Sequence, residues 1–436
     1  MSKRWIAVFV CAASSLLALR WGLCFREPDF RFGDEGVYLE LASNLATRHC
    51  YRLDHEDQGE NTPRGASEWV GSAIRLPPGL PFSLALMGQV VPLSPLTAKL
   101  LNATVGWIAV VLYTLAACWL LQSRFVALAV MLAIGLHPPL LYLNTANYPN
   151  TFEVFWFSTL VLLLVYVHRF RPEHRVSARW GLVEGCILGI GALYVPTLLF
   201  LLPALALAQF ARPFRRWLIY GLALGFGFIA ALLPWMIRNA IVERAFIPFG
   251  VGAGKEMYAG FNDHSRANLW QATDKEGIYG FERPPGLPAR ILSAADHRKA
   301  DAVYQSAAVA WIKAHPTSAA RLWLAKALNF FRWDVGAMHT AEEGRRPLRI
   351  LLTRATTIVV FSVFVLGCLF SSSNNRFWAL FGGLSMLFLA CGHALLISRY
   401  RMRLPFEPLL LFVGLTYLGQ RLIASVGRDQ STDRER

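Results

Sequence analysis

Long apolar runs recur along nearly the whole chain and constrain its fold more than any other feature. Many of these runs approach the roughly 20 residues that are needed to cross about 30 Å of hydrocarbon. Across all 436 residues, 55% are hydrophobic and only 16% are charged. This balance argues against a soluble globular fold. The sequence therefore predicts an all-α polytopic membrane protein, with one membrane domain over residues 1–436.

The apolar runs predict about ten transmembrane helices. Their approximate bounds are 5–19, 97–121, 125–143, 150–168, 181–196, 197–211, 217–237, 350–370, 377–397 and 404–424. The region 180–211 is too long for one span and short for two. Basic residues at both of its ends, Arg179 and Arg212, favour two short helices broken near Pro196.

The net charge of +15 is best explained by membrane topology. Arginine and histidine concentrate in residues 168–179 and 212–216, as the positive-inside rule predicts for cytoplasmic loops. The chain has no nucleic-acid-binding motif, so we expect no nucleic-acid partner. With these segments inside, we expect a bacterial-type cytoplasmic (inner) membrane protein with two large extracytoplasmic loops, residues 26–76 and 239–349.

Both extracytoplasmic loops are expected to contain helices at the membrane interface. The apolar segment 77–91 is short and begins with prolines, which favours a re-entrant or interfacial helix over a span. In the long loop, residues 302–313 and 319–331 have amphipathic helical patterns. We expect these helices to lie at the interface or to cover a functional site.

Two adjacent acids, Asp34 and Glu35, follow the first predicted span and precede a helical pattern that includes Tyr38. An Asp in this position can simply cap the helix by accepting a bond from a backbone N–H. A carboxylate held close to the membrane surface can also act as a general base towards a hydroxyl. The two roles are compatible, because helix-terminal donors would hold the Asp ionised and oriented.

Arginines at the extracytoplasmic ends of the spans are candidates for binding an anion. They are Arg75 before a Pro-Pro-Gly sequence, Arg238 at the end of a span, and Arg399, Arg401 and Arg403 before the last span. The last three violate the positive-inside rule, which a bound phosphate would explain because Arg recognises phosphate bidentately. Contact with lipid headgroups or snorkelling is the alternative explanation for each of them.

Four short motifs in this order resemble the GT-C superfamily of membrane glycosyltransferases. They are Asp34-Glu35, Arg75-x-Pro-Pro-Gly, Pro-Trp-x-x-Arg238-Asn, and Arg399-Tyr-Arg401 with a later proline. The chain is similar to the protein O-mannosyltransferases and the bacterial lipid A aminoarabinose transferases. The resemblance implies a sugar donor carried on a polyprenyl monophosphate and a lipid, glycan or protein hydroxyl as acceptor.

The resemblance also implies roles for individual residues. Asp34 would be the general base of an inverting transfer, and Glu35 a supporting acid. Arg238 and the arginines 399–403 would bind the donor phosphate. Arg75, from its position, is a candidate for pairing with the acidic site or with this phosphate, and Tyr38, Lys255 and His315 are further candidates. No cofactor is required, although adjacent acids can recruit Mg²⁺ or Mn²⁺.

Two rival functions stay open at the sequence level. A transporter or flippase of a lipid-linked substrate would place ionisable residues at mid-membrane, often in two related halves. A non-catalytic subunit of an envelope complex would tolerate substitution at Asp34 and Glu35.

Overall fold

All regular elements of the described chain are helices. The computed structural model describes residues 3–30, 33–54, 72–210, 213–265, 284–287, 293–332, 347–369, 376–398 and 402–432. The predicted all-α membrane architecture, with additional helices in both large loops, is confirmed.

The helices follow one another in this order: α1 Lys3–Arg26, α2 Gly33–Arg48, α3 Gly79–Gly88, α4 Pro95–Leu121, α5 Arg124–Gly135, α6 Pro138–Asn144, α7 Asn150–Phe170, α8 Ala178–Ala192, α9 Leu201–Ala208, α10 Phe214–Val242, α11 Ala253–Gly260, α12 Ala294–Ala314, α13 Pro316–Asn329, α14 Pro347–Leu369, α15 Arg376–Ala394 and α16 Glu407–Thr432.

By length and composition, six of the described helices can cross a membrane: α1, α4, α7, α10, α14 and α15. A seventh crossing results if α5 and α6, which meet at a bend of 59°, form one broken span. The chain is thus a multi-pass integral membrane protein. The predicted count of about ten spans is not confirmed, because the other apolar helices are shorter or less apolar than a full crossing requires.

Residues 180–211, which are too long for one span and short for two, contain two helices. Helix α8 ends at Ala192, and a short 3₁₀ segment, Pro196–Phe200, leads into α9. Glycines let α8 pack directly against the backbone of α10: a Cβ at Gly185 would overlap the carbonyl oxygen of Leu224. Such contacts between small residues are a common way for membrane helices to associate, since lipid provides no hydrophobic force between them.

Beside the core of the spans, a second apolar core holds the first loop in place. It includes Tyr38 and Leu41 of α2, Leu80 of α3, Trp235 of α10 and Val251 after α10. The long loop is tied down separately, because the buried Lys326 of α13 donates to the carbonyl of Leu396 at 2.8 Å. Both loops are therefore packed onto the ends of the spans.

Candidate functional site

The exposed carboxylate of Asp34 lies in the first turn of α2, where the helix end favours a negative charge. Its side chain is 46% accessible, and Oδ1 accepts a hydrogen bond from Nη2 of Arg75 at 3.0 Å. The next two turns of α2 bury Val37, Tyr38 and Leu41 against the first-loop core. This packing leaves Asp34 facing solvent while its helix is fixed.

The neighbouring Glu35 has a different environment, although it is one residue away. It is fully buried, and Oε1 accepts from the backbone N–H of Asn147 at 2.6 Å. The Asn147 side chain donates in return to the Glu35 carbonyl at 3.0 Å. These bonds tie α2 to the turn between α6 and α7. The two acids therefore have different partners, although they are adjacent in the sequence.

Arg75 lies where the first loop meets the segment that follows α10. It ends a 3₁₀ turn, Ala73–Arg75, which is capped by Ser72. The carbonyl of Ile74 accepts from Val251 N at 3.0 Å, and a Cβ at Gly250 would lie 2.6 Å from the Arg75 carbonyl oxygen. The segment that follows α10 therefore packs closely on the backbone of the first loop, directly behind the Asp34–Arg75 ion pair.

Lys255 reaches the same place from the long loop. It lies in the first turn of α11 and is 9% exposed. Burial, with a smaller contribution from the charge of Arg75, lowers the pKa of its ammonium group to about 6. The carboxylates of Glu256, Asp34 and Asp301 act in the opposite direction. An acid and two basic side chains, predicted separately from the sequence, thus belong to one electrostatic cluster.

Two members of this cluster were missed by the sequence analysis, and both come from α12. Asp301 accepts the backbone N–H of Lys255 at 3.0 Å, and burial raises the pKa of its carboxyl. His297 is buried, and burial together with the charges of Arg75 and Lys255 lowers its pKa to about 4. The sequence does contain a sign of this contact. Glycines at 250, 252 and 254, just before Lys255, indicate that the backbone approaches another segment closely.

Arg238 and Tyr38 lie beside the cluster, in the first-loop core and its rim. Nη1 of Arg238 pairs with Oε1 of Glu243 at 2.7 Å, and its guanidinium lies 5.8 Å from the ring centroid of Tyr51. Tyr38 is buried, and its ring contacts Tyr148 edge-on at 6.4 Å. Both candidates thus have structural partners within the protein.

Arg403 is fully buried, which differs from the exposed phosphate ligand that the sequence predicted. Its Nε donates to Oε1 of Glu407 at 2.9 Å, and Nη1 donates to the carbonyl of Phe330 at 2.7 Å. Oε2 of the same Glu407 lies 3.0 Å from His137. This network joins α16 to the end of α13 and to the bend before α6, so its charge is already balanced. We therefore leave Arg403 out of the proposed phosphate site.

The remaining candidates lie elsewhere. His315 is exposed in the turn between α12 and α13, where Nδ1 contacts the carbonyl of Trp311 at 3.2 Å. Arg399 and Arg401 lie outside the described residues. Within the described part of the chain, no group of three or more His, Cys, Asp or Glu side chains is placed to hold a metal ion.

No protein-family profile matches the sequence, and neither does any curated protein. Solved structures do show similarity. ArnT from Cupriavidus metallidurans, solved with undecaprenyl phosphate, is 14% identical and aligns over 96% of this chain and 79% of its own, with a TM-score of 0.47. The oligosaccharyltransferase AglB from Archaeoglobus fulgidus, solved with an inhibitory peptide and a dolichol-phosphate, is 13% identical.

The similarity in fold is shown by the comparison with AglB. That alignment covers 100% of this chain and 52% of AglB, with a TM-score of 0.50. The chain therefore spans about half the length of the oligosaccharyltransferase. At this level of identity the comparison concerns the fold, and it confirms the one that the ordered motifs predicted: the chain has a GT-C-type fold.

Proposed function

We propose that this protein is a glycosyltransferase that moves a sugar from a polyprenyl-phosphate donor to a hydroxyl of a lipid, glycan or protein. The observation that carries the proposal is the pairing of the exposed Asp34 with Arg75, beside the buried Lys255. One carboxylate that is open to an acceptor thus lies next to two groups that can bind a phosphate. The fold, shared with a protein solved with dolichol-phosphate, is consistent with such a donor.

The proposed site belongs to the two loops assigned to the extracytoplasmic face, residues 26–76 and 239–349. Positive-inside topology supports this assignment, since the arginines of residues 168–179 and 212–216 would then lie in the cytoplasm. The proposed location is a bacterial-type inner membrane, with the site on its outer side.

The proposed reaction is a single displacement. Asp34 accepts the proton of the acceptor hydroxyl as that oxygen forms a bond to the anomeric carbon. The bond from this carbon to the phosphate oxygen breaks, and its electron pair leaves with polyprenyl phosphate. Attack opposite to the leaving group inverts the anomeric centre. The partial exposure of Asp34 leaves its carboxylate accessible to an acceptor hydroxyl, as this role requires.

Cationic side chains account for the stabilisation of the leaving group. Negative charge grows on the phosphate oxygen as the bond breaks, so Arg75 and Lys255 would stabilise the transition state more than the bound donor. In the structure Arg75 is paired with Asp34. Donor binding would draw the guanidinium towards the phosphate and release Asp34 for the acceptor. Arg238, with Glu243 as its present partner, is a further candidate for the same phosphate.

The proposal is tested with the full chain in lipid nanodiscs and a panel of radiolabelled polyprenyl-phosphate sugars. We expect one donor to be converted to free polyprenyl phosphate, with the label transferred to acceptor or released as sugar. Absence of turnover of every donor in the panel would contradict the proposal. Movement of intact donor across a liposome membrane, with no cleavage, would instead favour a flippase.

A further inference from the structure

The N-terminus of α11 is closed by a carboxylate from another helix. Oδ1 of Asp301, on α12, accepts from Lys255 N at 3.0 Å, and the N–H groups of Gly252 and Gly254 also donate to this carboxylate. The first N–H groups of a helix have no partner within the helix, and they form the positive end of its dipole. Asp301 therefore satisfies several of them at once.

Two glycines make this contact possible. Gly252, at the N-cap of α11, has φ of +148°, a backbone conformation that favours glycine. A Cβ at Gly254 would overlap the Asp301 carbonyl oxygen, and it would lie 3.0 Å from Oδ1. The backbone of α11 can thus approach α12 closely enough for the carboxylate to reach three N–H groups.

This arrangement decides how a phosphate can be bound here. Helix N-termini commonly bind phosphate through their backbone N–H groups. Since Asp301 occupies those of α11, a donor phosphate at this place must be bound by side chains instead. Lys255 is in the very turn that Asp301 holds. That turn lies against Arg75, because a Cβ at its N-cap residue Gly252 would be 3.9 Å from Cγ of Arg75.

We propose that Asp301 is a positioning residue of the transferase site: by holding the first turn of α11, it places Lys255 beside the Asp34–Arg75 pair to bind the donor phosphate. The inference rests on the proposed function, which it deepens. Asp301 contacts no substrate in this scheme, and it acts through Lys255 by geometry and by charge.

The charge of Asp301 gives this role a measurable signature. The charged and titratable groups around Lys255 are Glu256 on α11, Asp34 on α2, Arg75 in the 3₁₀ turn, and Asp301 and His297 on α12. Burial lowers the pKa of Lys255 to about 6, although the Asp301 carboxylate acts in the opposite direction. Phosphate binding requires the ammonium form, so affinity should fall as pH rises above about 6.

Replacing Asp301 with Asn keeps an oxygen for the N–H groups and removes the charge. The pKa of Lys255 then falls further, and the loss of affinity begins at lower pH. At neutral to mildly alkaline pH we expect about tenfold weaker binding for each unit by which the pKa of Lys255 falls, since one pKa unit corresponds to about 1.36 kcal/mol.

The test measures binding of radiolabelled undecaprenyl methyl phosphate to the full chain in nanodiscs across a pH series. This probe is a phosphodiester and lacks the second ionisation of a phosphomonoester near pH 6. The variants are Asp301→Asn and Lys255→Arg, which keeps a permanent positive charge. Asp296→Asn is the matched control, because it removes the same charge from the same helix at a residue that bonds to Ser293.

We expect Asp301→Asn to shift the pH profile to lower pH, Lys255→Arg to bind with little pH dependence, and the control to behave as wild type. If Asp301→Asn does not fold, the Lys255→Arg profile decides alone. A wild-type profile in either folded variant would overturn the inference and leave the proposed function intact. Failure of the wild-type protein to bind the probe at any pH would overturn both.

Discussion

Replacing Asp34 with Asn tests whether this carboxylate has a catalytic role or a structural one. Asn has nearly the same size, and its oxygen can still accept the hydrogen bond of Arg75. The side chain is 46% accessible, and partly exposed ion pairs contribute roughly 0–1 kcal/mol to stability. The variant should therefore be expressed, inserted and folded like wild type.

The expected loss lies in kcat. General acid–base catalysis by a positioned side chain contributes about 10²- to 10⁴-fold. At about 1.36 kcal/mol for each factor of ten, this corresponds to roughly 2.7–5.4 kcal/mol of activation free energy. The donor KM should not rise, because the substitution removes a negative charge that repels the donor phosphate.

The assay is single-substrate turnover of the lipid-linked donor in nanodiscs, with kcat and donor KM measured separately. Asp54→Asn is a matched control on the same loop: Asp54 is 49% accessible, and its Oδ1 lies 2.8 Å from Nη1 of Arg48. More than about a tenth of the wild-type kcat in Asp34→Asn would refute the reasoning. So would an equal loss of kcat in Asp54→Asn.

Three further substitutions address the neighbouring residues. Glu35→Ala leaves the buried N–H of Asn147 without its acceptor, so we expect about 1–3 kcal/mol of lost stability, visible as a lower thermal midpoint in detergent. Arg403→Met leaves Glu407 without its buried cation, so we expect a loss of about 3–5 kcal/mol of stability in the same measurement. An unchanged thermal midpoint with weakened donor binding would instead assign Arg403 to the phosphate site. Arg75→Met should raise the donor KM about 10- to 100-fold, the value of one or two charge-assisted hydrogen bonds, and a normal donor KM would remove Arg75 from the phosphate site.

The sequence by itself determined the class of fold and the general position of the site. Apolar runs of membrane-spanning length leave few alternatives to a helical bundle, because unpaired backbone groups are too costly in hydrocarbon. The charge bias of the short loops predicts the orientation of the chain and assigns Asp34 and Arg75 to the same side of the membrane. In the structure these two residues form an ion pair although 41 residues separate them. The exact number of spans did not follow, since short and bent helices have no unambiguous hydropathy signal.

Only the tertiary structure decided which polar residues are available for chemistry. Asp34 and Glu35 are adjacent, yet one is exposed and the other is buried against Asn147. Successive residues on a helix point about 100° apart, so the rotation of α2 on its core assigns their roles. Hydropathy cannot report that rotation.

Distance along the chain concealed the second half of the cluster. Lys255 and Asp301 are separated by 46 residues and meet through one backbone hydrogen bond, where Gly254 lets two helices approach closely. The burial of Arg403 could not be foreseen for a related reason, because its partners come from three separate parts of the chain. The sequence determined where the charges could gather, and packing between distant segments decided which of them remained near the Asp34 carboxylate.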